Sequence, residues 1–517
     1  MGEVTAAERL AAIDRAAQGR TPRTVTILGG GIAGLVAAYE LERVGFGVRL
    51  LEARAQPQGR IRTHRCEDGT YGELGPMRVP HHHDLTRHYL ALGGLSLRPF
   101  VTAHQNLDGF YDIAGVVTRM RTARRDLYGQ FDLSSQQRED EIPPKMLGRA
   151  VADVVEGLTD AERDSLRAPR LTSDRLRALD ALPMGEFLRQ RVGRDAAELI
   201  GAASGLETMY DRSTMMLLRD ALVGSGDGFD EVVGGLDLLP AAVAARLLHT
   251  EVVTRTAVVA LRRREDDRVD LVVEREDGST ATETADVVLC TIPFSVLRRL
   301  DIGQAFGRPK LRAIRNLGYM SSTKVLLHAR ERFWESRDGI VGGASQSDRV
   351  WRAAYYPSDN AVAVQAPVPA EARFNTMYGA YEGGQFAAAD PAVSSGPGVL
   401  LASYTWGQDA RRLGSVPTAE RARVVARDLA RLHPAIAEEG MVDGHASIFW
   451  DRDRWAAGSF SEPAPGDHTN LYPDAIAPDG GVHFAGEHCS TDPGWIQGAI
   501  ASALDAVREI LEATPSG

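Results

Sequence analysis

Two periods of apolar residues run through this chain, and they divide it into recognisable stretches. Val25-Thr-Ile-Leu-Gly29 is a short apolar run of the kind buried in a parallel sheet. Past a glycine turn, Ile32, Leu35, Val36 and Tyr39 fall at i, i+3, i+4 and i+7, which predicts a helix. A second strand, Val48 to Leu51, ends at Glu52, completing the start of a βαβ unit. Ahead of it, residues 4–17 read as a short amphipathic helix. Residues 80–235 carry few β-rich runs, and helical spacing near 147–165, 173–190 and 193–205 predicts an inserted helical lobe. Gly234-Gly235 marks the return.

Three β-rich runs come next, at Ala257–Arg262, Val269–Val273 and Asp286–Ile292. Residues 320–406 mix strands with Gly/Ser/Pro loops, loosest at 383–398. Val482-His-Phe-Ala-Gly486 is a buried strand ending in a turn, and the last helix aligns Ile496, Ile500, Ala503, Leu504, Val507 and Leu511. With 517 residues, the chain is long enough for two or three packed lobes. The class is α/β.

Charge and cysteine content narrow the function. A formal charge of −11 argues against nucleic acid, whose phosphates need a cationic surface. Cys66, Cys290 and Cys489 are odd in number and far apart, with no CxxC or HExxH, so neither a disulfide framework nor a metal site is expected. No charged-then-apolar leader appears, and the least charged run, Val25 to Tyr39, is short and broken by four glycines. The expectation is a cytoplasmic protein with no membrane partner, assembling as a homodimer or higher homo-oligomer. Lysine occurs only at 145, 310 and 324, so each is conspicuous among the arginines.

Gly29-Gly30-Gly31-Ile32-Ala33-Gly34 satisfies GxGxxG with a strand before it, a helix after it and an acid at the end of the next strand. Gly29 permits the tight turn, Gly31 lets the backbone approach a pyrophosphate at the helix N-terminus, and Gly34 allows close helix–strand packing. Glu52 lies where a carboxylate meets the adenosine ribose hydroxyls. The motif predicts a dinucleotide without choosing between NAD and FAD.

The residues after Glu52 make that choice. Glu52-Ala-Arg-Ala-Gln-Pro-Gln-Gly-Arg60-Ile-Arg-Thr63 resembles the second glycine/arginine motif of flavin amine oxidases, with Gln58 where the family usually has the first glycine of a GGR triplet. Val482-His-Phe-Ala-Gly-Glu487 resembles the family's final flavin motif, and Gly494-Trp495-Ile496-Gln497-Gly498 opens the last helix. The resemblance spans about 22–512 and is weakest across 100–230. It implies a Rossmann-type, glutathione-reductase-like FAD-binding domain (22–70, 236–315 and 470–517), a mixed β-sheet substrate domain (71–135 and 316–469), a helical lobe (136–235) and an N-terminal helical extension (1–21). The flavin set it implies is Gly29, Gly31, Ala33, Gly34, Glu52, Ala53, Arg54, Gly59, Arg60, Gly75, Pro76, Met77, Arg78, Val258, Trp450, Gly486, Glu487, Gly494, Trp495 and Ile496. In Trp455-Ala-Ala-Gly-Ser459-Phe460, Ser459 occupies the place of the flavin-linking cysteine of some members, which implies non-covalent FAD.

Within the family, Gly75-Pro76-Met77-Arg78-Val79-Pro80 is similar to the L-amino acid oxidase segment whose arginine clamps the substrate carboxylate. A surface ion pair is the other reading of Arg78. Tyr404 matches the tyrosine that also binds that carboxylate, and Lys324 the lysine that holds a water near the flavin; core packing and a solvated lysine are the plain alternatives. Phe460 and Trp495, with Gly494, would flank the substrate amine, unless they are simply core aromatics. No histidine lies between His104 and His249, so no base is named. Glu207, Tyr210 and Asp211 either face the side-chain pocket or make inter-lobe contacts. His81, His82 and His83 read as surroundings of Arg78, with one of them at a channel mouth. The implied activity is oxidation of an L-amino acid by O₂, yielding a 2-oxo acid, ammonia and hydrogen peroxide. An amino-acid 2-monooxygenase, an amine oxidase and a flavin-binding protein without turnover are the rivals.

Overall fold

The computed structural model describes residues 4–140, 142–223, 228–303, 305–365, 368–369, 381–382 and 384–516. Five parallel strands, ordered Glu251–Val253, Gly47–Leu51, Thr24–Leu28, Val287–Cys290 and Val482–Phe484, form one sheet. Thr24–Leu28, Val287–Cys290 and Val482–Phe484 are buried along nearly their whole length because helices cover the sheet. Helix Ile32–Arg43 packs there and is buried on more than one face, from Ile32 through Ala38 and again at Glu40 and Leu41. The last helix, Ile496–Ala513, buries the stripe its spacing predicts and packs on Ile32–Arg43 and on the N-terminal helix Ala6–Ala17. An antiparallel meander, Thr256–Arg263, Val269–Arg275 and Thr280–Ala285, lies beside this sheet. Its third strand is missed by hydrophobic pattern because Thr-Ala-Thr-Glu-Thr-Ala alternates exposed and half-buried side chains and buries only Ala285.

A seven-stranded mixed sheet has the order Val442–Phe449, Ser322–Ala329, Gly398–Trp406, Ala353–Tyr355, Ala344–Ser347, Phe110–Ile113 and Val116–Arg119. Lys324 and Tyr404 are directly paired across two of its strands. A small sheet, Val79–Pro80, Phe229–Val232 and Leu97–Phe100, and a hairpin, Thr63–Arg65 with Tyr71–Glu73, connect the two larger ones.

The helical lobe is present with shorter helices than the spacing predicts. The run 147–165 is two helices, Pro143–Glu156 and Asp160–Leu166, because Thr159 caps a new start after Gly157. The run 173–190 divides into Asp174–Asp180 and Met184–Val192, with Pro183 as the N-cap of the second. Arg194–Ser204 agrees with its prediction and ends at Gly205, in the left-handed region. The stretch 383–398 is more ordered than its composition suggests. It contains strand Gln385–Ala388 and a short helix, Pro391–Ser394, capped by Asp390; position 383 lies outside the described residues. Among the described residues no helix is long and apolar enough to cross a membrane.

Candidate active site

One continuous cavity runs from the first glycine turn to the helical lobe, and the two ends of the chain meet in it. Gly29, Gly31, Ala33, Glu52, Ala53, Arg54, Gly59 and Arg60 line it from one side, with Val258, Gly486 and Glu487 close by. Gly75, Pro76, Met77, Arg78, Lys324, Tyr404, Trp450, Phe460, Gly494, Trp495 and Ile496 line the rest. Gly34 does not reach the cavity. A Cβ there would sit 2.0 Å from the Gly29 carbonyl oxygen, so its place is the helix–strand contact beneath the turn.

The walls fit a flavin dinucleotide. Gly29 turns the chain at φ +102°, and a side chain there would strike Thr291. Gly59 has φ +60°, and its Cβ would come 3.0 Å from the Gly31 Cα, so two glycine turns meet backbone to backbone. A Cβ on Gly31 would meet the Gly59 Cα at an ordinary 3.8 Å, and Gly31 begins its helix without a side-chain cap. The last helix likewise begins at Trp495 without a side-chain cap, and Gln497 turns away to Thr86 and Asp84. Two helix N-termini therefore open on the same cavity, where their N–H groups suit a pyrophosphate at one and an electron-rich ring edge at the other. The Glu52 carboxylate accepts from the Gly30 and Arg54 N–H groups at 2.6 and 2.7 Å. Burial pushes it above the ordinary carboxylate range, against those bonds.

Glu487 ties three segments together. It accepts from Arg60 Nη1 at 2.7 Å, from the Ser461 N–H and hydroxyl, and from the Gly494 N–H at 3.0 Å. Burial would raise this carboxyl, but Arg60 and the hydrogen bonds bring it below its usual value. Ser459 donates its hydroxyl to the Met320 carbonyl, and its own carbonyl accepts from Arg60.

Arg78 is carried by the small sheet. Its guanidinium lies 4.7 Å from the Phe229 ring centre and 5.9 Å from that of Phe100, two residues paired across adjacent strands. Lys324 is 2 % exposed and donates to the Gly75 carbonyl at 2.6 Å and the Glu73 carbonyl at 3.2 Å, with the Tyr404 ring 4.5 Å from Nζ. Burial lowers the Lys324 ammonium, and the charge of Arg78 adds to the effect while Glu73 opposes it. Burial also pushes the Tyr404 phenol up to about 12, against Arg78. All three groups thus share one electrostatic environment. Trp406 packs edge-on against Tyr404 at 5.0 Å and Phe460 at 6.3 Å, and Phe460 lies against Gly494. Trp450 donates its indole N–H to the Leu74 carbonyl at 3.1 Å.

Residues 32–511 match the sequence profile of flavin containing amine oxidoreductases. The chain belongs to that family. It is 34% identical over 502 residues to the flavin-dependent L-tryptophan oxidase RebO of Lentzea aerocolonigenes, covering 95% of this chain and 98% of that one. It is 30% identical to an L-amino-acid oxidase of Siganus canaliculatus (96% and 86% covered) and 29% identical to the putative L-amino-acid oxidase YobN of Bacillus subtilis (95% of each). Its fold matches a putrescine oxidase solved with putrescine and a cyclohexylamine oxidase from Brevibacterium oxydans. Each has a TM-score of 0.69, with 95% of this chain and 99% of theirs covered, at 19% and 16% identity. This flavoprotein therefore has the Rossmann-type and mixed-sheet architecture expected of it.

The lobe brings residues that sequence did not single out. Met184, Leu206, Met209, Met216 and Leu217 form an apolar wall, followed by Arg219 and Asp220; His468 and Asp492, from the C-terminal part of the chain, line the cavity as well. Glu207, Tyr210 and Asp211 do not line the cavity. Glu207 pairs with Arg352 at 2.8 Å, Tyr210 bonds the Ala197 carbonyl, and Asp211 lies 3.5 Å from Arg212. Their inter-lobe and local reading is the one the structure supports. His82 and His83 both line the cavity, with His83 edge-on to Trp495 at 5.1 Å, whereas His81 pairs with Asp230 at 3.3 Å. Helical periodicity can mark these lobe residues as buried, but it carries no signal that they face a cavity.

Proposed function

We propose that the protein is an FAD-dependent L-amino acid oxidase, converting an L-amino acid, O₂ and water to the 2-oxo acid, ammonia and hydrogen peroxide. The observation that carries this reading is the meeting of Arg78, Tyr404 and Lys324 in the cavity that the flavin motifs line. Names of full-length relatives support it as well. When bound without a covalent link, FAD supplies a two-electron acceptor for the hydrogen lost from Cα.

The chain's own residues do the rest. Arg78, held in orientation by Phe229 and Phe100, would take the substrate carboxylate, with the Tyr404 hydroxyl as a second donor. Phe460, Trp406 and Trp495 would exclude water around the amine, and desolvation favours its neutral form. Lys324 would hold a water in the same cavity, its ammonium fixed by the Gly75 and Glu73 carbonyls. The wall from Met184 to Leu217 suits a large apolar substrate side chain, and methionines adapt to its shape.

A peroxide-coupled screen of the L-amino acids, with D-enantiomers as controls, tests the proposal. Turnover of large apolar L-amino acids to 2-oxo acid is expected. A decarboxylated amide as product would convert the reading to a monooxygenase, and amines turned over in place of amino acids would remove Arg78 from its role.

A further inference from the structure

On the side of the Ser322–Ala329 strand that carries Lys324, a second group of reactive side chains lies away from the cavity. The hairpin turn 66–70 closes over this strand: the Cys66 N–H donates to the Thr70 carbonyl, and the Gly69 N–H to that of Cys66. Asp68 uses one carboxylate oxygen to accept from the Thr70 N–H and hydroxyl, at 3.0 and 2.7 Å. The other oxygen meets His328 Nε2 at 2.8 Å. The Cys66 thiol completes the group, so that one ligand atom from each of Cys66, Asp68 and His328 lies within 4.8 Å of the others. We propose that these three side chains form a zinc site that fastens the hairpin turn to the seven-stranded sheet.

The donor set argues for the metal. A thiolate, an imidazole nitrogen and a carboxylate oxygen together suit Zn²⁺, whereas Mg²⁺ and Ca²⁺ take oxygen alone. Tetrahedral zinc needs ligand atoms roughly 3.3–3.7 Å apart, so an ion would replace the 2.8 Å hydrogen bond between His328 and Asp68, moving those two atoms apart by about half an ångström or more, with the thiol at the same spacing. A water would fill the fourth position. The outer layer is also present: His328 Nδ1 is bonded to Asp443, and Asp443 accepts from Arg330 Nε at 3.1 Å. A carboxylate on the distal nitrogen fixes tautomer and ring orientation, as around histidines that bind zinc. Cys66 and His328 are half-buried and Asp68 is exposed, so an ion can reach the site from solvent.

The position gives such an ion a consequence. Below the turn, Leu326 packs under Gly72, and Lys324 holds the Glu73 and Gly75 carbonyls. A metal at the turn would anchor the far end of the hairpin that leads into Gly75–Arg78.

The test uses full-length, flavin-loaded protein treated with chelator and desalted. Calorimetric titration with Zn²⁺ should show one equivalent bound at micromolar Kd or tighter. Co²⁺ in its place should give thiolate-to-metal absorption in the near ultraviolet. Cys66→Ser should remove that absorption and weaken Zn²⁺ binding at least tenfold. Asp443→Asn should weaken it about 10–100-fold through the outer layer alone. The flavin spectrum of each variant reports that it is folded, and His328→Gln on the opposite element repeats the test. Wild-type protein that binds no equivalent of zinc, or variants that bind it as wild type does, would overturn the proposal.

Discussion

Arg78 lies against two phenylalanines, and in the proposed reading its guanidinium takes the substrate carboxylate. A hydrogen bond to a charged group is worth about 1.5–3 kcal/mol. Arg78→Leu should therefore lower kcat/KM for amino acids by roughly 10–100-fold through KM, while flavin stays bound; an unchanged KM would exclude the clamp. Lys324→Met should slow the reaction of reduced enzyme with O₂ in stopped-flow experiments, with reduction by the amino acid less affected. His488 gives a test independent of function. It is fully buried, with no hydrogen-bond partner among the described residues, and its ring packs on Phe294 at 4.6 Å. Burial pushes it down to about 3, against Glu487. Below the ordinary histidine value the unfolded chain binds a proton that the folded one refuses, so stability falls with pH until that folded value is reached. His488→Leu removes this effect. The difference in unfolding free energy between variant and wild type should move toward the variant by about 2 kcal/mol from pH 6.5 to 5, at ~1.4 kcal/mol per unit. Parallel pH profiles would show that His488 has a proton acceptor or donor in the native state.

At the scale of the element, two glycines three residues apart separate packing from binding. Gly34→Ala puts a methyl 2.0 Å from a backbone oxygen that cannot yield, whereas a methyl on Gly31 meets nothing closer than 3.8 Å. Gly34→Ala should abolish folded, flavin-loaded protein. Gly31→Ala should fold with a near-normal melting temperature, yet bind flavin more weakly by titration. Equal melting losses for the two would contradict the division. The glycine/arginine turns were legible because each works through its own backbone. Helix lengths in the lobe were not, since the Thr159 cap and the Pro183 break interrupt apolar periods that continue across them. The strand Thr280–Ala285 escaped notice because a polar edge strand has no apolar run to display.

Across the whole molecule, the lobe is tied to the seven-stranded sheet by a nearly buried arginine. Arg352 donates to Glu207 from the lobe at 2.8 Å and to Asp409 at 2.6 Å, and Asp409 is 6 % exposed. Among the described residues, Arg352→Met leaves Asp409 with Arg412, an exposed partner at 3.0 Å. Removing one member of a buried ion pair costs about 3 kcal/mol or more. Thermal unfolding should begin several degrees lower, with the helical signal of the lobe lost first; coincident loss of lobe and sheet would show a single cooperative unit.

The dinucleotide-binding unit was readable in the sequence alone, because its strand, turn and helix signals lie close together, whereas the flavin family and the expected places of Arg78, Lys324 and Tyr404 followed from resemblance. Folding decided which of those groups meet. It paired Lys324 with Tyr404 across two strands, set Phe229 and Phe100 around Arg78, and brought the methionines of the lobe to the cavity. Such contacts join segments well separated along the chain, 80 residues for Lys324 and Tyr404 and 151 for Arg78 and Phe229. Local periodicity reports that a side chain is buried, but only the packing of sheets and lobe determines whether it faces a core, a neighbour or a site.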